Sequence, residues 1–271
     1  MKFSVLMSVY KNDIPLLLER AIKSISFEQT IRPNQIVLVV DGPIGADIES
    51  KIEYFDSKLV NLVVVRLEKN VGLANALNHG LKYCQYEIVF RMDSDDYSLP
   101  NRFEKQLKVF EHDSSVSVVG TQITEVDPDS NQPTGNRRLP LSFDEIKEFS
   151  IARNPLNHMT VAFKKSHVVE VGGYKHLLYL EDYYLWLRLI SKNKVIVNLP
   201  DILVYATTGR GMLARRGGFN YVKSEFQLFN IKNNLGVANF FVNVFFLIVR
   251  TTPRLLPVYI RGMIYKILRG K

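Results

Sequence analysis

From Phe3 to Val119 the chain alternates two patterns, and this restricts its fold more than any other feature. Phe3–Val9, Gln35–Val40, Leu62–Arg66, Glu87–Arg91 and Val116–Val119 are short runs rich in β-branched residues. Between the first four, apolar residues recur at helical spacing. Leu16, Leu17, Ile22 and Ile25 mark one helix, Ile48, Ile52 and Phe55 a second, and Leu73, Leu77 and Leu81 a third. Strands without polar alternation are covered on both faces, so the fold class is α/β, with a mostly parallel sheet between helices. In such sheets ligands bind beyond the carboxyl ends of the strands. Those ends are Ser8-Val9-Tyr10, Asp41-Gly42, Glu68-Lys69-Asn70 and Asp93-Ser94-Asp95-Asp96.

The second half is less regular. Residues 127–140 (DPDSNQPTGNRRLP) read as a polar loop. Phe143–Ile151 reads as a helix, His158–Phe163 as a strand, Asp182–Ile190 as a helix and Val195–Leu199 as a strand. From Gly217 onward the pattern is helical. The chain has 271 residues, near the upper limit of a single core, so one large domain (1–215) with an appendage (216–271) is expected.

Charge is unevenly placed. Residues 201–271 hold eleven Lys/Arg and two Asp/Glu, a balance of +9. The net charge is +8, so the first 200 residues carry −1. A basic end on a neutral body points to an anionic partner: nucleic acid, anionic lipid or an acidic glycan. Residues 238–271 contain no acid and mix cations with Phe240, Phe241, Phe245, Phe246, Leu247 and Ile248. That composition fits an interfacial helix on an anionic membrane surface. A helix packed on the body with a solvated basic face has the same composition. The clustered phenylalanines lack the interleaving of nucleic-acid stacking platforms, so no nucleic acid is expected. Pro253 and Pro257 are expected to break the segment. No signal-peptide pattern follows Met1, and no apolar run approaches the roughly 20 residues that span a bilayer. The single cysteine, Cys84, fits a reducing compartment.

Three segments could carry chemistry. Arg91-Met92-Asp93-Ser94-Asp95-Asp96 puts three carboxylates after an apolar strand. They repel one another unless a cation sits between them, and an all-oxygen set suits Mg²⁺ or Mn²⁺. A solvated, N-capped turn would look the same. Asn70-Val71-Gly72 opens a helix after the third strand, where a capped N-terminus attracts anions. Glu181-Asp182 enters a helix among Tyr179, Tyr183, Tyr184 and Trp186. Apolar surroundings raise a carboxylate's proton affinity, which suits a general base; a simple cap is the alternative.

Taken in order, these segments resemble the inverting glycosyltransferases of family 2. The resemblance runs from about residue 3 to residue 210. It rests on Ser8-Val9-Tyr10, Asp41-Gly42, Asn70-Val71-Gly72 with Asn75 and Asn78, and Asp93-Ser94-Asp95-Asp96 with Pro100 and Arg102. Asn157-His158-Met159-Thr160, Gly172-Gly173-Tyr174 and Glu181-Asp182 follow. Within the family the chain is most similar to amylovoran-type exopolysaccharide, O-antigen and capsule enzymes, to which Met212–Gly218 adds support.

The resemblance implies a GT-A fold, a Rossmann-like nucleotide-binding sheet, with a nucleotide-sugar half (1–120) and an acceptor half (121–215). It implies that Ser8, Tyr10 and Asp41 lie at the nucleobase and that Arg66 and Asn70 lie near the nucleotide. Asp93 would approach the ribose or the metal, and Asp95 would bind metal and diphosphate. Asp182 would be the general base, with Glu181 as the other candidate. His158 would lie near the acceptor or be a satisfied structural histidine. Arg210, Arg215 and Arg216 would close over the diphosphate or form a solvated basic loop. The implied donor is a UDP-sugar and the cofactor Mn²⁺ or Mg²⁺. The implied acceptor is a lipid-linked saccharide at the inner face of a bacterial plasma membrane, alongside other polysaccharide-assembly proteins.

Processive relatives carry a Q-x-x-R-W motif. The only Trp is Trp186, outside any such motif, so transfer of single sugars is expected. A nucleotidyltransferase would need a Gly-rich loop after its first strand, where this chain has Tyr10-Lys11-Asn12-Asp13. A non-catalytic sugar-nucleotide-binding or scaffold protein would have lost carboxylates that are all present.

Overall fold

The computed structural model describes residues 1–128, 130–208 and 217–256. Its opening elements are β1 (Phe3–Val9), α1 (Pro15–Ile25), β2 (Gln35–Val40), α2 (Ala46–Lys58), β3 (Leu62–Arg66), α3 (Leu73–Tyr83) and β4 (Ile88–Met92). β5 (Tyr97–Ser98), α4 (Arg102–His112), β6 (Val116–Val126), β7 (Pro133–Arg137) and α5 (Phe143–Ala152) come next. A 3-10 turn (His158–Thr160), β8 (Ala162–Lys164), α6 (Lys165–Glu170), α7 (Glu181–Ser191) and β9 (Val195–Thr207) complete the body. Two helices follow, α8 (Phe219–Asn234) and α9 (Phe240–Leu255).

The described strands form one sheet in the order β3-β2-β1-β4-β8-β6-β9-β5, with β7 on β6. β1 pairs parallel with β2 on one side and with β4 on the other. The chain thus travels outward through β2 and β3, then returns to β4 across β1. This reversal between β1 and β4 is a topological switch point, where the loops diverge and leave a crevice. β8 runs antiparallel to β4 and β6.

Helices cover both faces because successive strand residues point to opposite sides. Phe3, Val5, Met7 and Val9 pack with Leu18, Ile22, Ile52, Phe55 and Phe103. Leu6, Val37 and Val39 pack with Leu77, Leu81, Leu185 and Trp186. Phe3, Phe90 and Phe103 meet pairwise at centroid distances of 4.6–5.0 Å. Burying each such side chain contributes about 1.5–3 kcal/mol, which fixes β1 and β4 in register beneath the crevice.

Several elements differ from the sequence expectation. Leu16 is 70% exposed, and Leu18 is buried beside the expected Leu17 instead. The segment read as a loop contains β7, an exposed edge strand that Pro133 can start because an edge needs no N–H there. The strand expected from His158 begins only at Ala162, because Thr160 N–H turns back to the Asn157 carbonyl at 2.9 Å. β9 runs on from Leu199 to Thr207, parallel to β6. Pro253 does not break α9: it sits inside the helix, which ends at Leu255. Pro257 lies outside the described residues.

The appendage has an unexpected polarity. Its described cations turn inward more than outward. Arg250 forms a bidentate pair with Glu225 at 2.6 and 2.9 Å, and Lys232 donates to the Ile151 carbonyl at 2.6 Å. Arg254 lies 4.2 Å over the Tyr221 ring. Phe219, Phe241, Phe245, Ile248 and Leu255 face outward, each more than half exposed. No described helix is long and apolar enough to cross a membrane.

Candidate active site

The crevice between β1 and β4 is closed at its base by hydrogen bonds between the two loops. The Asp13 carboxylate accepts from the Tyr10 N–H at 3.0 Å and from the Ser94 hydroxyl at 2.9 Å. Asp13 thereby ties the loop after β1 to the acidic loop after β4. Burial pushes its carboxyl up to about 6, with Asp93 adding to the rise. Ser8 lies near the end of β1, and Tyr10 is 37% exposed on the rim.

Asp41, at the end of β2, holds the next loop. Its carboxylate accepts from Val71 N–H at 2.7 Å and Gly72 N–H at 3.1 Å, while Asn70 donates to the Asp41 carbonyl at 3.1 Å. The sequence reading had Asn70 and Gly72 cap α3. Gly72 is the N-cap but has no side chain to do it, and the N–H groups just before the helix are satisfied from Asp41. Gly42 has φ +85, and a Cβ there would lie 2.4 Å from Asn70 N, so only glycine lets the loops pass. Arg66, at the end of β3, is exposed and paired with Glu49 at 2.5 and 2.9 Å.

The acidic loop itself offers three carboxylates. One oxygen from each of Asp93, Asp95 and Asp96 lies within 4.8 Å of the others. Asp96 is 2% exposed: its Oδ1 accepts from Thr207 N–H at 2.7 Å, and its Oδ2 has no partner. A buried carboxylate oxygen without a donor is costly. Burial, then Asp93 and Asp13, pushes Asp95 up to about 7; burial, Asp95 and Asp93 raise Asp96 still more clearly. The guanidinium of buried Arg91 pairs with Asp93. An orphaned oxygen among three crowded carboxylates is what a divalent cation would relieve, so the donor set fits Mg²⁺ or Mn²⁺.

Behind the loop the scaffold is stiff. Arg102, fully buried, donates to the Arg91 carbonyl at 2.7 Å and to Gln106 at 3.1 Å. Gln106 then donates to the carbonyls of Val119 and Thr160. In front, Arg20 reaches the Asp95 carbonyl at 3.2 Å and Thr207 Oγ1 at 2.9 Å, and Thr207 Oγ1 donates to the same carbonyl at 2.6 Å. The end of β9 and helix α1 thus fix the acidic loop from the open side.

Glu181 and Asp182 stand at the first turn of α7. Asp182 Oδ2 accepts from Asn154 Nδ2 at 2.6 Å, and Oδ1 accepts from Tyr183 N–H at 2.7 Å. Burial raises the Asp182 carboxyl; the Asn154 donor, Tyr183 N–H, Arg137 and Arg91 oppose that. Burial pushes Glu181 up to about 7, with Asp182 adding to the rise. Both carboxyls hold protons more tightly than usual, as an acceptor of a hydroxyl proton must.

A neutral pair lies beside the two acidic groups. His158 Nε2 and the Tyr174 hydroxyl are 3.0 Å apart, and burial together with Arg91 holds the imidazole well below its usual range. Tyr174 feels Arg91, Asp182 and Asp93, so its hydroxyl lies within electrostatic reach of both acidic sites. Asn78 fixes Tyr174 by donating to its carbonyl at 2.7 Å and accepting from its N–H at 2.8 Å. A Cβ on Gly173 would sit 2.5 Å from that Asn78 oxygen. This joins two distant sequence segments, Asn70–Asn78 and Gly172–Tyr174, in one contact.

The structure therefore gathers Asp93, Asp95, Asp182, Glu181 and His158 around the crevice, with Ser8 near the end of β1 and Tyr10, Asp41 and Asn70 on the loops beside it. Arg66 is engaged by Glu49. Arg210, Arg215 and Arg216 lie outside the described residues. The sequence reading missed Asp13, Arg20, Asn154 and Thr207. Only Asp13 had a usable signal, as the acid closing the loop after the first strand.

Comparison with known proteins fits this geometry. The profile of glycosyl transferase family 2 matches residues 4–171. The chain is 41% identical to the amylovoran biosynthesis glycosyltransferase AmsE of Erwinia amylovora over 264 residues, 97% of this chain and 98% of that protein. It is 35% identical to the UDP-Gal:alpha-D-GlcNAc-diphosphoundecaprenol beta-1,3-galactosyltransferase of Escherichia coli over 268 residues, 98% of this chain and 95% of that protein. Its fold matches that of the mannosyltransferase PcManGT from Pyrobaculum calidifontis, solved with GDP-Man and Mn2+. The TM-score is 0.67 over 100% of this chain and 76% of that one, at 18% identity. The fold is the GT-A fold that the sequence led us to expect.

Proposed function

The chain belongs to glycosyl transferase family 2, and from that premise we propose that it transfers one sugar, with inversion, from a UDP-sugar to a lipid-linked or growing polysaccharide acceptor. The observation that carries this reading is the pairing of two differently built carboxylate sites around one switch-point crevice. The acidic loop has an orphaned buried oxygen, and the Glu181–Asp182 site is held by a neutral amide donor.

In this reading Asp95 and Asp93 would hold Mn²⁺ or Mg²⁺, with Asp96 supporting them, and the bound ion supplies positive charge for the departing diphosphate. Asp182 accepts the proton of the acceptor hydroxyl. The acceptor oxygen forms its bond to the sugar C1 as the C1–O bond to the diphosphate breaks, and that bond's electrons leave on the diphosphate oxygen. Attack from the face opposite the leaving group inverts the anomeric centre. A single base suffices, unlike glycoside hydrolysis with its carboxyl pair. Tyr10, Asp41 and Asn70 border the space for the nucleoside, with Ser8 beneath. Arg91 balances Asp93, and the neutral His158–Tyr174 pair spaces the two acidic sites without adding charge.

The relatives support the finer points. One is named for amylovoran biosynthesis, and the other is named as moving galactose from UDP to a diphosphoundecaprenol-linked sugar. Such an acceptor sits in a membrane. The outward phenylalanines of α8 and α9, with Lys232, Arg250 and Arg254 turned inward, form an apolar surface suited to the inner face of the plasma membrane. We include O-antigen and capsule assembly among the processes such an enzyme serves, with other assembly proteins as partners.

The test is release of UDP from a panel of UDP-sugars in the presence of GlcNAc-diphosphoryl-lipid, with and without Mn²⁺. Metal-dependent release with one sugar supports the reading. A folded protein that binds none of the donors contradicts it.

A further inference from the structure

The C-terminal carbonyls of a helix need partners, and those of α5 find them in an unusual place. The Ser150 carbonyl accepts from the Tyr183 hydroxyl at 2.6 Å, that of Ile151 from the Lys232 ammonium at 2.6 Å, and that of Ala152 from Arg250 Nη1 at 2.9 Å. Lys232 and Arg250 belong to α8 and α9. Arg250 is itself fixed by Glu225, and both cations lie over the Tyr183 ring, at 4.9 and 5.4 Å. Two residues past this triple cap stands Asn154, whose amide donates 2.6 Å to Asp182 Oδ2. Its Oδ1 accepts from Leu156 N–H at 3.3 Å, which orients the amide with its NH₂ toward the carboxylate. The same hairpin touches the other side of the α7 N-terminus. Tyr221 stacks on Tyr179 at 5.2 Å and 7°, and Tyr179 holds the left-handed φ of 69 that leads into Glu181.

We propose that Asn154 is a positioning residue for Asp182, and that the α8–α9 hairpin holds Asn154 in place by capping α5 through Lys232 and Arg250. This rests on the reading of Asp182 as the base. The amide fixes the carboxylate's rotamer and leaves its remaining lone pairs for the acceptor hydroxyl. By donating to the charged form it also keeps the carboxylate available near neutral pH against burial. The other groups facing Asp182 are Glu181 on its own helix, Arg91 of β4, Arg137 of β7, Tyr174 before α7 and Tyr183 beside it. Among them, Asn154 is the neutral side chain hydrogen-bonded to the carboxylate. The appendage is thereby part of the active-site framework as well as a surface.

The test reads Asp182 directly, in protein free of metal and nucleotide. Its carboxyl ¹³C shift, assigned by its disappearance in Asp182→Asn, gives a titration midpoint. Asn154→Ala is expected to raise that midpoint by about one pH unit, as loss of one charged hydrogen bond should. The isosteric Asn154→Asp, which keeps the packing, should raise it further by placing a like charge beside it. Lys232→Met should move it in the same direction by less. In UDP-sugar turnover, the alkaline-going rise of kcat should shift with the midpoint in each variant, while Mn²⁺-dependent UDP binding stays unchanged.

An Asp182 midpoint unmoved in both Asn154 variants overturns the proposal, even if Asp182→Asn abolishes transfer and so upholds the base. A midpoint moved by Asn154→Ala but not by Lys232→Met overturns the part assigned to the hairpin. Full transfer by Asp182→Asn removes the base reading itself, and the proposal with it.

Discussion

Burial pushes Asp95 and Asp96 in one acidic group, and Glu181 and Asp182 in the other, toward protonation, yet the two groups have different surroundings. In the loop after β4, three carboxylates crowd within 4.8 Å, one oxygen has no donor, and the Arg91 guanidinium is committed to Asp93. At the start of α7, Asp182 has an amide and a backbone N–H on its two oxygens, and Glu181 sits behind it. In the proposed reading the first group would be completed by a cation and the second by the proton of an acceptor hydroxyl. Burial alone does not assign a role to a carboxylate: the number of like neighbours and the kind of donor do.

Exchanging these roles by mutation should fail in distinct ways. Asp182→Asn should reduce transfer by about 10²–10⁴-fold, the usual range for loss of a positioned base, with donor binding intact. The activity of the wild type should rise with pH as the raised Asp182 carboxyl loses its proton. Comparable pH–kcat limbs in wild type and Asp182→Asn would break the assignment. Asp95→Ala should reduce transfer by about 10²–10³-fold and should also abolish the effect of Mn²⁺ on UDP affinity, since it removes electrostatic help for the leaving group. Isothermal titration with UDP, with and without Mn²⁺, separates these two outcomes.

A third charged group sharpens the contrast because it is complete within the fold. Glu225 and Arg250 form a buried bidentate pair. Arg250→Met should cost about 3–5 kcal/mol in urea unfolding, because it leaves Glu225 buried and unpaired, whereas Arg250→Met with Glu225→Met should recover most of the loss.

The smallest effect is on stability. Asp182 has a raised folded-state pKa, so its contribution is fully present below the unfolded value and is lost as pH rises through the folded one. Asp182→Asn should therefore be less pH-sensitive than wild type and more stable than it above neutral pH, as removal of a buried charge allows. Thermal unfolding across pH 5 to 8 checks this, and identical profiles would contradict it.

Much of the fold was legible in the sequence because β1–β4 are covered on both faces and so read as unbroken apolar runs. β6 was seen only as far as Val119, because its continuation carries Thr121, Gln122, Thr124 and Glu125. All four are buried, and each of the first three makes side-chain hydrogen bonds that no hydropathy pattern announces. β7 is polar, short and at an edge, and looked like the loop around it. In the candidate site, Asp93, Asp95, Glu181 and Asp182 stand out in the sequence because their carboxylates cluster along the chain. Asn154 was not, because Arg153-Asn154-Pro155 resembles any turn and its meaning comes from a contact 28 residues away. Composition also cannot say that Lys232 and Arg250, among the described cations of the appendage, face the body.

The division between a cation-seeking and a proton-seeking carboxylate group is tested most directly by measuring UDP binding as a function of Mn²⁺ in wild type, Asp95→Ala and Asp182→Asn. The account predicts that Mn²⁺ tightens UDP binding equally in wild type and Asp182→Asn and has no effect in Asp95→Ala. Loss of the Mn²⁺ effect in Asp182→Asn, or its persistence in Asp95→Ala, would contradict it.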